Sequence, residues 1–220
     1  MSEQTQALPL VVLISGRGSN LKAILDAIRH EQLPAVVTAV ISDQSRAAGL
    51  DYARQENIDT LALDAADYPD RHSYDRALQG LIDRFNPGLV VLAGFMRILT
   101  PAFVHHYEGR LINIHPSLLP EFPGLNTHQR AIDEGARQHG ASVHFVTEEV
   151  DGGPVIVQVR VPVLPDDDAE RLAARVLTQE HRLYPQAIRW LAEGRIRLEG
   201  EQLLFDQRPL QQPLQLDAKE

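Results

Sequence analysis

The sequence predicts an α/β protein with an open, mostly parallel twisted sheet and helices on both faces. Short apolar runs alternate with longer segments whose apolar residues recur at helical spacing, which is typical of strand–helix–strand units in a parallel sheet. Such sheets bind ligands beyond the carboxyl ends of their strands. The predicted strands are Leu10–Ile14, Val36–Ile41, Thr60–Leu63, Leu89–Ala93 and Leu111–Ile114. The predicted helices are Asn20–His30, Ala47–Glu56 and Arg71–Phe85, with a short one starting at Thr100-Pro101.

The second half of the chain changes character. Two extended, β-branched runs are joined by a strong turn signal and followed by a long helix, a small hairpin and a segment without periodicity. In order these are Ala141–Val146, the turn Asp151-Gly152-Gly153-Pro154, the run Pro154–Val163, a helix from about Ala169 to Ala192 with a bend at Pro185, the hairpin strands Arg195–Leu198 and Gln202–Phe205, and residues 207–220. The last segment, with its prolines and glutamines, is predicted to be a loose tail.

Composition narrows the class of protein. The 220 residues are 44% hydrophobic and 23% charged, with a formal net charge of −9, which argues against a general nucleic-acid or anionic-membrane surface. There is no cysteine, so disulfides, thiolate nucleophiles and cysteine-based zinc sites are excluded. Met1 to Leu8 lack the features of a signal peptide, and no apolar run approaches the ~20 residues of a membrane helix. We expect a soluble, cytoplasmic protein.

Asn113 and His115 stand at the end of a predicted strand and two positions apart, so their side chains leave the same face. An amide can donate to a developing oxyanion, and an imidazole can exchange a proton near neutral pH. Acyl-type transfer needs both groups. From these residues alone, a strand end whose polar side chains point to solvent is an equal alternative.

The loop Ser15–Asn20 joins the first predicted strand to the first predicted helix. Its glycines allow a tight turn, the free amides at the helix start favour an anion, and Arg17 adds positive charge. Leu21 stands where the dinucleotide fingerprint requires a glycine, and the lysine of a P-loop is missing. We therefore expect a single phosphate, against the alternative of a glycine-rich turn with an ordinary N-cap.

Other segments offer further candidate groups. Gly94–Leu99 follows the fourth strand and places apolar side chains and one arginine where a cleft is expected for a flat heterocycle. A loop that fills the core and exposes its arginine is an equal alternative. Asp151 precedes two glycines, so the chain can bend to aim its carboxylate at a histidine; a turn aspartate is the commoner explanation. Glu180 falls on the apolar stripe of the long helix and needs a partner, either an internal base or a substrate amine or hydroxyl. His105 and His106 are adjacent and point apart, and no metal site is predicted.

Together these segments closely resemble the glycinamide ribonucleotide transformylase family, the folate-dependent formyltransferases of purine synthesis. The matching stretches, in the family's order, are VVLISGRGSNL (11–21), VVLAGFMRILTPAFV (90–104), INIHPSLLPEFPG (112–124), GASVHFVTEEVDGGPVI (140–156) and TQEH (178–181). The resemblance implies the formyltransferase fold in one domain, 1–220. About 9–110 would form a Rossmann-like, phosphate-binding half and about 111–206 the catalytic and folate-binding half.

The resemblance also implies roles for particular residues. Asn113, His115 and Asp151 match the family's catalytic trio. Gly18, Ser19 and Asn20, beside Arg17, match its ribonucleotide-phosphate site, and Glu180 matches a contact to the same substrate. The residues matching the folate site are Arg71, Met96, Arg97, Ile98, Leu99, Asn113, Thr147, Val150 and Asp151. Asn126 stands where some relatives carry a histidine, which puts a second cleft histidine in doubt.

The implied reaction is direct transfer of the formyl group of 10-formyltetrahydrofolate to the amine of glycinamide ribonucleotide, without a metal or a covalent enzyme intermediate. The expected partners are these small molecules, with no nucleic acid and no membrane, and the chain would be a monomer or a homodimer. Formyltetrahydrofolate hydrolase and methionyl-tRNA formyltransferase share the Asn-x-His-Pro-Ser-Leu-Leu-Pro signature and remain alternatives. A binding module without activity is the non-enzymatic alternative.

Overall fold

The computed structural model of the chain describes residues 7–31, 33–200 and 202–218. Within them an eight-stranded sheet has the order β3-β2-β1-β4-β5-β6-β7-β11, and a small three-stranded sheet has the order β10-β9-β8. The strands are β1 (Leu8–Ile14), β2 (Ala35–Ser42), β3 (Asp59–Ala62), β4 (Leu89–Leu92), β5 (Leu111–His115), β6 (Gln138–Phe145), β7 (Val155–Pro162), β8 (Ile196–Glu199), β9 (Gln202–Phe205), β10 (Arg208–Pro209) and β11 (Leu214–Leu216). The helices are α1 (Ser19–His30), α2 (Ala48–Gln55), α3 (Arg71–Asp83), α4 (Pro101–His106), α5 (Thr127–Asp133) and α6 (Ala169–Ala192), with a 3-10 turn at Ala65–Asp67.

Strands β1 to β5 are parallel, and β6 runs antiparallel to both of its neighbours. The chain leaves β1 towards β2 and β3, then returns to place β4 on the other side of β1. The carboxyl ends of β1 and β4 therefore border a topological switch point, where open α/β sheets form their ligand crevice. The loops that begin at Ser15 and Ala93 leave the sheet at this point.

Both faces of the sheet are covered, as the strand alternation of β1 demonstrates. Leu10, Val12 and Ile14 belong to a core that includes buried residues of α1 and α6. Val11 and Leu13 point the opposite way into a second core with buried residues of α3 and α4. The predicted fold class, a mostly parallel sheet between two layers of helices, is confirmed.

The prediction of a loose tail over 207–220 is wrong for the residues described. Leu214–Leu216 pair in parallel with β7 and extend the main sheet, and Arg208–Pro209 pair with β9. Such short strands carry too few residues to show a period, and they owe their conformation to the strand beside them. Helix α6 continues through Pro185. Across the described part of the chain, no helix combines the length and apolar character needed to cross a membrane.

Candidate active site

The predicted catalytic residues meet at the carboxyl end of β5. Asn113 and His115 lie on this strand, and His144 lies directly opposite Asn113 on the antiparallel neighbour β6. Asp151 comes from the turn between β6 and β7 and folds back over the strand end. The structure thus brings together three residues that are separated by up to 38 positions in the chain (151 minus 113).

His115 is buried, with 6% of its surface exposed, and both of its ring nitrogens face oxygen atoms. Nε2 lies 3.0 Å from the carbonyl oxygen of Phe122, to which it donates when protonated. Nδ1 lies 3.4 Å from Oδ2 of Asp151. A doubly protonated ring would donate one hydrogen bond to each of these oxygens.

The Asp151 carboxylate is aimed by the local backbone. Asp151 has φ 55°, a left-handed conformation that aspartate tolerates better than most residues. Its Oδ2 also accepts a hydrogen bond from the backbone N–H of Gly124, at 2.8 Å. A Cβ on Gly153 would lie 1.8 Å from the carbonyl oxygen of Phe145, so the turn requires glycine there.

His144 fixes the orientation of the Asn113 amide. Its Nδ1 donates to the carbonyl oxygen of Phe145 at 2.9 Å, which leaves Nε2 as an acceptor for Nδ2 of Asn113 at 3.2 Å. Burial lowers the pKa of His144, so the neutral ring that this pairing requires is favoured. The second N–H of the Asn113 amide remains for a ligand. His144 is absent from the predicted site residues, because only the strand register reveals its place opposite Asn113.

The Ser15–Asn20 loop is a tight backbone turn at the start of α1. Gly18 has φ 73° and occupies the N-cap, so the first amides of the twelve-residue helix follow directly at Ser19. Gly18 packs against Gly49 of α2, where a Cβ on Gly18 would lie 2.7 Å from Cα of Gly49. The N–H of Gly49 also donates to the carbonyl oxygen of Gly16 at 3.0 Å. Gly49 was not predicted from the sequence, because its importance comes from contact between distant segments. Arg17, within the loop, is exposed.

Asn20 and Glu180 form a buried pair between α1 and α6. Nδ2 of Asn20 donates to Oε2 of Glu180 at 2.8 Å, and the residues are 8% and 7% exposed. Burial raises the pKa of Glu180, and the hydrogen bond from Asn20 opposes that shift. The Oδ1 atom of Asn20 is buried without a hydrogen-bond partner. The partner of Glu180 is thus an amide rather than an internal base, and the pair presents acceptor atoms to a hydroxyl or amine.

The predicted folate segment follows β4. Met96 and Ile98 are 69% and 60% exposed, whereas Leu99 is buried. The guanidinium of Arg97 lies over the ring of Tyr74, 4.4 Å from the ring centroid. Large exposed apolar side chains at the carboxyl edge of the sheet form the kind of surface that an aromatic ligand covers.

The other residues predicted for the folate site lie in the turn after β6 and at the start of α3. Val150, 50% exposed, lies next to Asp151 in the turn after β6. The hydroxyl of Thr147 donates to the carbonyl oxygen of Glu149 at 3.4 Å within the same turn. Arg71 is exposed at the start of α3, and no hydrogen bond or ion pair joins it to the other predicted residues in the described ranges.

The segment between β5 and α5 is anchored at its start by buried polar groups. The Ser142 hydroxyl donates to the carbonyl oxygen of Ser117 at 2.7 Å and accepts from the N–H of Leu119 at 3.0 Å. The Gln158 amide donates to the carbonyl oxygen of Leu119 at 2.8 Å. Further along, Asn126 is exposed with φ 56° as the N-cap of α5, a conformation that asparagine adopts readily.

Among the residues that the structure describes, no group of three histidine or carboxylate side chains could hold a metal ion. The fold, with Asn113, His115 and Asp151 gathered at the carboxyl edge of the sheet, is that of the formyl transferase class. Residues 8–188 match the family model described as Formyl transferase, and the chain belongs to this family.

The comparison with individual proteins is more specific. The chain is 53% identical over 197 residues to the phosphoribosylglycinamide formyltransferase of Escherichia coli (strain K12), which covers 90% of this chain and 93% of that protein. The solved phosphoribosylglycinamide formyltransferase of Coxiella burnetii superposes with a TM-score of 0.91 at 47% identity, over 94% of this chain and 98% of that one. A formyltetrahydrofolate deformylase from Pseudomonas syringae pv. tomato matches with a TM-score of 0.84 at 26% identity, over 91% of this chain and 66% of that one.

Proposed function

We propose that this chain transfers the formyl group of 10-formyltetrahydrofolate to the amine of glycinamide ribonucleotide, a reaction of purine biosynthesis. The names of the relatives support this activity, since the chain and the E. coli protein match over 93% of the latter's length. The structural observation that carries the proposal is the contact of Asp151 with His115 beside the oriented amide of Asn113.

The chemistry follows from these three side chains. The substrate amine attacks the formyl carbon, its new C–N bond replaces the bond to N10, and one proton passes from the amine to N10. Asn113 donates a hydrogen bond to the oxyanion of the tetrahedral intermediate, and the positive charge of protonated His115 stabilises it. Asp151 orients His115, takes up the proton that the attacking amine loses and passes it through water to the departing N10. Holding both substrates in line supplies a large part of the acceleration.

The amine substrate would bind at the switch point. Its phosphate would take the amides at the start of α1, with Gly18, Ser19 and Asn20 around it and the charge of Arg17 nearby. Glu180 and the unpartnered Oδ1 of Asn20 would accept hydrogen bonds from the hydroxyl groups of the same molecule.

The folate would bind on the other side of the catalytic residues. Its flat ring would lie between the exposed apolar side chains of Met96 and Ile98 and the backbone of 147–151, whose main-chain groups would offer hydrogen bonds. Arg97 would offer N–H donors to the same molecule, and Arg71, at the start of α3, would be a contact at the edge of the site.

Replacement of His115 by alanine tests the catalytic role. We expect kcat to fall by about 10²-fold or more while both KM values change by less than about threefold, because the interaction develops in the transition state. His30→Ala, at the exposed end of α1, is the matched control and should retain full activity. Equal losses in kcat and in substrate affinity would contradict a catalytic role for His115.

Hydrolysis of the formyl group is the second candidate, because the deformylase from P. syringae shares the fold. A product assay with and without glycinamide ribonucleotide separates the activities: transfer yields the formylated amine, whereas hydrolysis yields formate without any acceptor. Formylation of methionyl-tRNA would appear only with that RNA, and a mere binding module would release no product. The cytoplasmic location, the single domain and the monomeric or homodimeric state remain predictions, the last to be measured by sedimentation.

A further inference from the structure

We propose that Asp75 and Tyr74, adjacent residues of α3, are positioning residues for the segment 94–99 and thereby set the affinity for the formyl donor. The inference rests on the proposed function, in which that segment forms the folate site. Neither residue belongs to the loops that contact substrate; both act through side chains that touch the segment or the residue that follows it.

Asp75 holds the carboxyl end of the segment. Its Oδ2 accepts a hydrogen bond of 2.6 Å from the backbone N–H of Thr100, the N-cap residue of α4. Asp75 and Thr100 are 3% and 2% exposed, so solvent does not compete for this bond. A short bond to a charged acceptor in a buried place restrains the backbone strongly.

Tyr74 holds the side chain of Arg97. The guanidinium stacks on the ring face at 4.4 Å, and it makes no ion pair within 4.0 Å to any carboxylate of the described residues. A cation stacked on an aromatic face keeps its N–H groups at its edge. The ring therefore fixes the position of Arg97 while leaving its donors available to a ligand.

The amino end of the segment has a separate attachment. The Ser15 hydroxyl accepts a hydrogen bond of 2.8 Å from the N–H of Met96, and the Ser15 N–H donates to the carbonyl oxygen of Gly94 at 3.1 Å. Ser15 begins the phosphate loop, so this end is tied to the site of the other substrate. Among the described residues, no hydrogen bond joins the Asp75 end to the Ser15–Asn20 loop, so the two attachments can be distinguished by experiment.

Burial without full hydrogen bonding argues that Asp75 and Tyr74 do more than fill the core. Oδ1 of Asp75 and the hydroxyl of Tyr74 are both buried and have no hydrogen-bond partner. An apolar residue at position 75 would avoid this unfavourable burial of polar atoms. The carboxylate is explained by what its other oxygen does for the backbone of Thr100.

The test compares steady-state kinetics of four variants of the full chain with the parent. Asp75→Leu should raise KM for 10-formyltetrahydrofolate about tenfold, the effect of one lost charge-assisted hydrogen bond, with KM for glycinamide ribonucleotide within twofold. Asp75→Asn retains an acceptor and should restore KM to within about threefold of the parent. Tyr74→Leu should raise the same KM, whereas Tyr74→Phe, which keeps the ring, should not. Thermal melting of each variant accompanies the assay.

Calorimetric binding of tetrahydrofolate, the product, under argon gives a readout that does not depend on catalysis. Weaker binding to D75L and Y74L, together with parent-like binding to the conservative variants D75N and Y74F, supports the positioning role. Equal rises of both KM values, or unchanged folate binding in a folded Y74L and D75L, would overturn it. Absence of formyl transfer by the parent chain would instead contradict the proposed function, while the binding comparison still decides the role of α3.

Discussion

At Glu180 a buried carboxylate meets an amide donor, and the structure implies a conflict between stability and binding at this residue. A carboxyl group whose pKa is raised in the folded state holds its proton longer than in the unfolded chain. Its contribution to stability is therefore fullest below the ordinary pKa of 4.5 and declines as pH rises through the raised folded pKa. A charge at Glu180 is disfavoured by the fold yet suited to a substrate hydroxyl.

Glu180→Gln should therefore raise the melting temperature above neutral pH and leave it nearly unchanged near pH 4, because glutamine keeps a partner for Asn20 without a buried charge. KM for glycinamide ribonucleotide should rise several-fold in the same variant. The measurements are thermal melts at both pH values and initial rates. Glu170→Gln, exposed on the same helix, is the control. A variant destabilised at pH 8 would contradict the argument.

Residue-level sequence reasoning succeeded where a local pattern was broken. Glu180 was detectable because it interrupts an apolar stripe, and Asn113 and His115 because they end a strand with polar side chains. The role of His144 could not be predicted in this way, since it depends on which strand pairs with β5 and in which direction. The approach of Asp151 to His115 likewise depends on the course of the chain between them, which local propensity does not determine.

At the scale of elements, two helix glycines differ in what surrounds them. A Cβ on Gly49 would lie 2.6 Å from Cδ1 of Ile14 and 3.0 Å from Cα of Gly18, in the Ser15–Asn20 loop. A Cβ on Gly80, in α3, would meet nothing within 4 Å. Alanine at position 49 would clash with Ile14 and Gly18, whereas alanine at position 80 would only improve helix propensity.

Gly49→Ala should lower the free energy of unfolding by about 1–2 kcal/mol, because overpacking outweighs the helix propensity gained. It should also raise KM for glycinamide ribonucleotide, since Gly18 is displaced. Gly80→Ala should increase the free energy of unfolding by about 0.5–1 kcal/mol and leave the kinetics unchanged. Urea titrations and initial rates measure both, and the same sign of stability change in the two variants would refute the comparison.

The elements that the sequence predicted best are those with a clear apolar pattern. Helix α6 was predicted because its apolar residues recur at helical spacing, and strands β1 to β5 because each is a short apolar run. Helix α5, of seven residues, and β11, of three, were not predicted. Contacts with other segments stabilise them. Strand β11 pairs with β7, and the Ser142 hydroxyl anchors the segment that leads into α5.

At the scale of the whole molecule, buried histidines make the free energy of unfolding depend on pH. His139 is 1% exposed on β6, and burial lowers its pKa to about 4 from 6.5. In the unfolded chain His139 binds a proton below about pH 6.5, whereas in the folded chain it does so only below about pH 4. The free energy of unfolding therefore falls as the pH drops through this range. Burial also lowers the pKa values of His128 and His144, which act in the same direction.

His139→Phe should therefore flatten the pH dependence, removing up to about 2 kcal/mol of the stability lost between pH 7 and pH 5. Urea unfolding at a series of pH values measures the slope, with His30→Ala, exposed at the end of α1, as the control. A slope identical to that of the parent would show that His139 does not carry the effect.

The sheet changes from parallel to antiparallel between β5 and β6, and the Asn113–His144 pair spans that seam. A chimaera that takes the N-terminal half of one homologue and the C-terminal half of another would combine β5 of the first with β6 of the second. A slip of a single position would turn His144 to the opposite side of the sheet and leave Asn113 without its acceptor. Designers who recombine such proteins should therefore choose crossover points that preserve this pairing, before considering similarity elsewhere.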